Sequence, residues 1–237
     1  KEEFEEALPF YESLVEQELS SYTEKALVRI MTLLKKEALS KEALPYLENL
    51  YEIASFEGNK RFATLNLMQG YFVANKFEKS LLLSEEVLRF NRLEEGLKWD
   101  ALKFRARSAL KLNDTLTASS AYESLENSSQ KNIAAEALYF KAERLHSFKK
   151  YKDSNLIIER ISVSSGQLGD WNAKALLLLA KNYYELDDPF QASFVLESII
   201  ENFIAFPFII EEAESLLATY RAATAKENRS INQNQND

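Results

Sequence analysis

Residues 171–203, WNAKALLLLAKNYYELDDPFQASFVLESIIENF, decide how the rest of the chain is interpreted. They predict a helix, a short acidic turn and a second helix that returns antiparallel to the first. In the second helix, Ala192, Leu196 and Ile199 fall at i, i+4 and i+7, which places them on one face. This stretch therefore predicts a helical hairpin with an apolar interior.

The pattern of this second helix recurs along the chain. Each copy opens with a small residue, continues with mostly apolar residues four and seven positions later, and has a glutamate five positions later. The six small residues, at intervals of 36 to 38 residues, are Ala7, Ala43, Ser80, Ala118, Ser154 and Ala192. The first helices repeat as well, with Met31, Met68, Ala106, Ala142 and Ala180 each standing twelve residues before a small residue. A period of this length built from two helices predicts an all-α fold, an α-solenoid.

The last copy carries a family resemblance. Leu179-Ala180-x-x-Tyr183-Tyr184-x-Leu186-Asp187-Asp188, followed by Ala192-x-x-x-Leu196-x-x-Ile199, resembles a tetratricopeptide repeat. The resemblance extends from about residue 4 to about residue 203, and it implies a right-handed superhelix of antiparallel helix pairs. The chain departs from the family because its repeats exceed the usual ~34 residues. It also has Met31 and Met68 where a small residue is expected, which puts close helix packing there in question.

The repeats predict one solenoid over residues 1–227, with about twelve helices. The first of these, over residues 4–18, matches a second helix without its partner, so we expect this chain to be the C-terminal part of a larger protein. A capping helix is predicted over residues 207–226, and residues 228–237 are predicted to be a polar flexible tail. Breaks are predicted at residues 57–59, at Gly96 and at residues 164–170, and a helix N-cap is predicted at Ser40.

Composition limits the classes of function. The 237 residues include no cysteine, which excludes disulfides, thiolate nucleophiles and thiolate metal sites. The net charge of -8 argues against a general binder of nucleic acid or of anionic membranes. No apolar run approaches the ~20 residues of a membrane span, so we expect no direct membrane insertion.

Residues that could support catalysis or bind a metal are few. His146 is the only histidine, and Glu143, three residues earlier, is its single partner at helical spacing. Two ligands are too few for a transition-metal site, so His146 is expected to have a structural or surface role. Gly166 and Gly169 lack the third glycine and the preceding strand of a dinucleotide-binding loop. The sequence therefore predicts no catalytic, cofactor-binding or metal-binding residues, and no enzyme.

The repeated glutamates lie off the apolar stripe of the second helices, so they are expected to face solvent. They are Glu12, Glu48, Glu85, Glu123, Glu159 and Glu197.

The family resemblance implies a binding site on the concave side of the solenoid, where the first helices of related repeats hold a peptide or a helix. Projection of the first helices places on that side Phe62, Gln69, Phe72, Asp100, Lys103, Phe104, Arg107, Glu136, Tyr139, Phe140, Glu143, Lys174, Leu177, Lys181 and Tyr184. Aromatic side chains mixed with charges are typical of protein interfaces. The alternative is that these aromatic residues only pack between repeats. The asparagines of the carboxylate clamp found in chaperone-binding relatives are missing, so chaperone-tail binding is not predicted.

The leading hypothesis is a noncatalytic scaffold that binds a peptide or partner protein in this groove. An alternative is a regulatory or sensor domain attached to an upstream catalytic or DNA-binding module. A cryptic enzyme is a third hypothesis, and it requires a cofactor or metal in the purified protein. The resemblance also implies a bacterial protein and favours the periplasmic side of the cell envelope over the cytoplasm. The identity of the partner and the oligomeric state stay open.

Overall fold

Good helix formers dominate the chain, and in the computed structural model they form α-helices. The structure describes residues 2–16, 22–34, 43–163 and 169–234. These ranges contain twelve helices and no strand, which confirms the predicted all-α fold. In chain order the helices are α1 (Glu2–Glu16), α2 (Thr23–Leu33), α3 (Leu44–Ile53), α4 (Glu57–Val73), α5 (Phe77–Leu88), α6 (Glu95–Lys111), α7 (Thr115–Leu125), α8 (Lys131–Ser147), α9 (Tyr151–Val163), α10 (Gly169–Glu185), α11 (Pro189–Asn202) and α12 (Pro207–Asn234).

The chain divides into two compact units, an N-terminal unit, Lys1–Ser124, and a C-terminal unit, Leu125–Asp237. In the N-terminal unit each helix from α1 to α6 packs against the next, and α4 also packs against α6. In the C-terminal unit α8 to α12 pack in the same successive order, and α10 also packs against both α8 and α12. Successive packing of this kind is the arrangement of a helical-repeat solenoid. Even-numbered helices are the first helices of the repeats, and odd-numbered helices are the second helices.

The small residue that opens a second helix is buried against the preceding first helix. Those with no exposed surface are Ala43, Ser80, Ala118, Ser154 and Ala192. Ser80 Oγ donates a hydrogen bond to the carbonyl oxygen of Met68 at 2.8 Å, and Ser154 Oγ donates one to that of Ala142 at 2.8 Å. The backbone of the first helix therefore lies directly against this position, which explains why a small side chain recurs there.

The turn from the first to the second helix has the same backbone shape in four repeats. The residue in the left-handed region, with φ of 59° or 60°, is Asn75, Asn113, Lys149 or Asp187. In each turn the amide of the following residue donates to the carbonyl oxygen five residues before it, at 2.8 or 2.9 Å. This bond closes a Schellman motif and satisfies a carbonyl group at the end of the first helix. Asparagine and aspartate tolerate the left-handed conformation, whereas a lysine there is strained.

The two methionines that replace small residues do not prevent close packing in the N-terminal unit. Met31 and Met68 are 1% and 2% exposed, and both lie in the core that α2, α3 and α4 share. Unbranched methionine side chains adapt to such irregular spaces. Close approach of α3 to α4 is instead possible at Gly70, where a Cβ atom would lie 2.7 Å from Leu44 Cδ2.

Two of the predicted breaks are wrong, because helices begin earlier than the glycines suggest. Residues 57–59 form the first turn of α4, and Gly96 is the second residue of α6. At α4 the reason is a side chain from another helix. The carboxylate of Glu24, on α2, accepts hydrogen bonds from the backbone amides of Ser55 and Phe56, each at 3.3 Å. These bonds hold the two residues that directly precede the first turn of α4.

Helix α12 continues to Asn234, beyond the predicted end at residue 226. Residues 228–234, predicted as tail, therefore have a helical backbone. Extending an existing helix costs little free energy per residue, so a polar sequence can continue it. The predicted N-cap at Ser40, most of the predicted linker at residues 164–168, and residues 235–237 lie outside the described residues.

Candidate partner-binding face

Helix α12 has the burial pattern of a first helix. Its buried residues Ala213, Leu217 and Tyr220 have the spacing i, i+4 and i+7. The corresponding positions in α10 stand 37 residues earlier. Because α10 packs against both α8 and α12, three first helices lie side by side in the C-terminal unit.

Aromatic contacts join α8 to α10. The rings of Tyr139 and Trp171 are 5.6 Å apart and tilted by 44°. Lys174 Nζ lies 4.3 Å from the centroid of the Trp171 ring and 2.9 Å from Asp170 Oδ2. Trp171 therefore contacts both a tyrosine ring and an ammonium group, which restrict its position.

Charged and aromatic contacts join α10 to α12. Lys181 Nζ lies 2.7 Å from Glu212 Oε1. The rings of Tyr184 and Tyr220 are stacked at 3.7 Å with an interplanar angle of 5°. We use the name α8–α10–α12 face for the partly exposed surface formed by Tyr139, Glu143, Trp171, Lys174, Lys181 and Glu212.

The hydroxyl of Tyr139 is held in its neutral form on this face. Burial, together with the carboxylates of Glu143 and Glu212, raises the pKa of Tyr139 to about 12. Its hydroxyl is hydrogen-bonded to Glu143. Carboxylates from α8 and α12 thus act on the same hydroxyl group.

Four other residues predicted for the groove in the C-terminal unit are covered to different extents. Glu136 and Leu177 are each 5% exposed and belong to the interior. Tyr184 has one ring face covered by Tyr220. Phe140 is half-buried, with the Arg144 guanidinium 5.9 Å from its ring centroid. Because Glu136 and Leu177 are interior, the predicted residues of this unit that a partner could touch are Tyr139, Phe140, Glu143, Lys174, Lys181 and Tyr184.

Two of the predicted groove aromatics in the N-terminal unit pack between helices. The Phe72 ring meets Phe77 and Phe104 edge-to-face, with centroid distances of 5.5 Å and 5.4 Å. Phe104 is only 7% exposed. For these residues the alternative interpretation, packing between repeats, holds.

The charged groove residues of the N-terminal unit are paired or partly covered. Lys103 Nζ lies 2.6 Å from Asp100 Oδ1 and 4.9 Å from the Phe104 ring centroid. Gln69 and Arg107 are half-buried. Phe62, 38% exposed, is the most accessible of the predicted aromatics in this unit.

The repeated glutamates differ in their surroundings. Glu12 accepts a hydrogen bond from the hydroxyl of Tyr46, and Glu48 accepts one from Tyr71 at 2.7 Å. The bond to Glu12, together with burial, raises the pKa of Tyr46 to about 12. The prediction that these carboxylates only face solvent is therefore wrong for the two earliest repeats. Those that are exposed are Glu123 and Glu159. Those in ion pairs are Glu48 with Lys76 and Lys79, each at 3.9 Å, Glu85 with Arg105 at 3.6 Å, and Glu197 with Arg221.

His146 belongs to a polar network inside the C-terminal unit. Its Nδ1 lies 2.6 Å from Oδ1 of Asn182, which has no exposed surface. Asn182 Nδ2 donates to Ser154 Oγ and to Asn155 Oδ1, each at 2.8 Å. Since Oδ1 is only an acceptor, Nδ1 of His146 carries the proton. The network links α8, α9 and α10. His146 therefore pairs with Asn182 and not with Glu143, the partner that its helical spacing predicted.

Two further features bear on the kind of site the chain could contain. Among the described residues, no three histidine or acidic side chains are close enough together to hold a metal ion. None of the helices, as far as they are described, combines the length and the apolarity needed to cross a membrane.

Sequence reasoning missed three residues of the site region: Trp171, Glu212 and Tyr220. The projection of α10 began one turn too late to include Trp171. The capping helix was not aligned with the first helices, so Glu212 and Tyr220 were not placed beside α10. The 37-residue offset between corresponding positions of α10 and α12 could have placed Glu212 and Tyr220 beside α10.

No model of a known protein family matches the chain, and no curated protein matches its sequence. The tetratricopeptide resemblance therefore rests on the repeated residues and on the helix pairs.

Proposed function

We propose that the chain is a noncatalytic scaffold that binds a peptide or a partner protein on the α8–α10–α12 face. One observation carries the proposal: aromatic and charged side chains from three adjacent first helices form one surface, and contacts between helices hold them in place. Trp171, which contacts both Tyr139 and Lys174, joins α8 to α10 on this surface.

Binding to a protein surface usually requires that mobile side chains become ordered, and the lost conformational entropy opposes association. On this face the Trp171 ring, the Lys174 ammonium and the Lys181 ammonium already have fixed neighbours. Large aromatic side chains held in this way are the residues that contribute most to protein interfaces.

The proposal includes a relationship to tetratricopeptide repeat proteins and a bacterial source. The repeated pattern that ends with Ala192, Leu196 and Ile199 supports the relationship. The four turns of equal shape and the buried small residues support it as well.

Capture of partners with a variant that lacks the Trp171 ring tests the proposal. The immobilised chain is incubated with an extract of the source cell, and bound proteins are identified by mass spectrometry. Trp171→Ala should lose the specific partner, because it removes the ring that contacts Tyr139 and Lys174. Leu156→Ala, at an exposed apolar position of α9, is the matched control and should retain it. Equal recovery with both variants, at equal thermal stability, would place binding on another surface.

A further inference from the structure

We infer that the segment bound on the α8–α10–α12 face presents a lysine or arginine, whose cationic group pairs with Glu143 beside the ring of Tyr139. This inference rests on the proposed function and specifies the chemistry of the partner.

Glu143 carries a charge that no other residue of the face balances. The lysines of the face are neutralised within the chain, Lys174 by Asp170 at 2.9 Å and Lys181 by Glu212 at 2.7 Å. Glu143 is exposed and, within the described part of the chain, forms no ion pair. The face therefore presents one charge without an opposite charge, and that charge is negative. A cation from the partner is its complement.

Glu212 is the second carboxylate that acts on the Tyr139 hydroxyl. It is paired with Lys181 at 2.7 Å, so this pair adds little net charge beside Glu143. A cation placed at Glu143 is therefore attracted by the Glu143 carboxylate, whereas an anion is repelled by it.

The rings of Tyr139 and Trp171 form an aromatic surface beside Glu143. Lys174 Nζ already lies 4.3 Å from the centroid of the Trp171 ring, so this aromatic surface accommodates an ammonium group within the chain itself. The Tyr139 ring is tilted against Trp171 and lies next to Glu143. The methylene groups of a lysine or arginine can cover an aromatic ring while the charged end reaches a carboxylate. The net charge of -8 also favours the approach of a basic segment.

A library of random dodecapeptides tests the inference without knowledge of the natural partner. The library is selected on the immobilised full chain, and affinities of the enriched peptides are measured by fluorescence anisotropy. We expect enriched peptides to share one lysine or arginine. Glu143→Gln should weaken their binding about fivefold, the effect of a partly exposed charge-assisted contact. The matched control is Glu159→Gln, which changes another exposed carboxylate, on α9, and it should have no effect.

A double-mutant cycle shows whether the contact is direct. Replacing the shared basic residue of the peptide by glutamine should weaken binding to the wild-type chain but should have little further effect on Glu143→Gln. Additive losses would overturn the inference, as would enriched peptides without a shared basic residue. Phe194 is 62% exposed and lies in a separate groove between α11 and α12. If Phe194→Ser abolishes peptide binding while Glu143→Gln leaves it unchanged, the peptides bind in that groove and the inference is overturned. A library that yields no enriched peptide contradicts the proposed function itself.

Discussion

Replacement of Asn182 by alanine should destabilise the protein more than any exposed asparagine does. Asn182 has no exposed surface, and its amide forms three hydrogen bonds, with His146, Ser154 and Asn155, at 2.6 to 2.8 Å. A buried hydrogen bond contributes a net free energy of about 1 kcal/mol. Asn182→Ala should therefore lower the free energy of unfolding by about 3 kcal/mol. Ser154 loses less than the others, since its hydroxyl still donates to Ala142.

The assay is urea denaturation followed by far-ultraviolet circular dichroism. Asn202→Ala is the control, because that exposed amide bonds only within its own helix, to Ser198, and its loss should change stability by less than about 0.5 kcal/mol. Asn155→Ala removes one bond of the network and should cost about 1 kcal/mol. If Asn182→Ala costs no more than the Asn202 control, the network does not stabilise the fold, and the reasoning is refuted.

Three further predictions concern the repeat packing, the carboxylate of Glu24 and a turn. Ala192→Leu should lower the free energy of unfolding by ~1–3 kcal/mol through overpacking, measured by thermal melting against the exposed control Ala222→Leu. Burial alone raises the pKa of Glu24, but its hydrogen bonds outweigh this and lower the pKa below the usual 4.5. The stabilisation that Glu24 provides is therefore present above pH 4.5 and is lost as the pH falls through the lowered pKa. In urea titrations at a series of pH values, the free energy of unfolding of Glu24→Gln should fall less steeply with acid than that of the wild type. Lys149→Gly should raise the free energy of unfolding by about 1 kcal/mol because φ there is 60°, whereas Lys152→Gly, inside α9, should lower it; equal effects of the two would contradict the turn argument.

The fold could be predicted largely because one local pattern is repeated. A small residue such as Ala192 followed by Leu196 and Ile199 fixes the packing side of a second helix, and the same spacing in other copies fixes the pairing of helices. The start of α4 could not be predicted, because Glu24 binds the two residues that precede it from 31 or more residues away in sequence. Such contacts between distant residues override a local glycine signal.

The candidate site was predictable only as a set of positions on helices. Projection placed Leu177 and Lys174 on the same side of α10, yet Leu177 is 5% exposed and Lys174 is partly open to solvent. The difference arises because neighbouring helices cover some of that side, and a single-helix projection contains no neighbours. Phe104 is buried for the same reason.

The shared geometry of the hairpin turns has an evolutionary consequence. Asn75 and Asn113 have nearly the same φ, 59° and 60°, and each is followed by the same closing hydrogen bond. A gene rearrangement with its ends at these two codons would join the first half of one turn to the second half of the other. The joined turn would keep the same backbone conformation. Loss or duplication of a whole hairpin therefore requires no newly invented connection, and proteins of this design can change in length by complete modules.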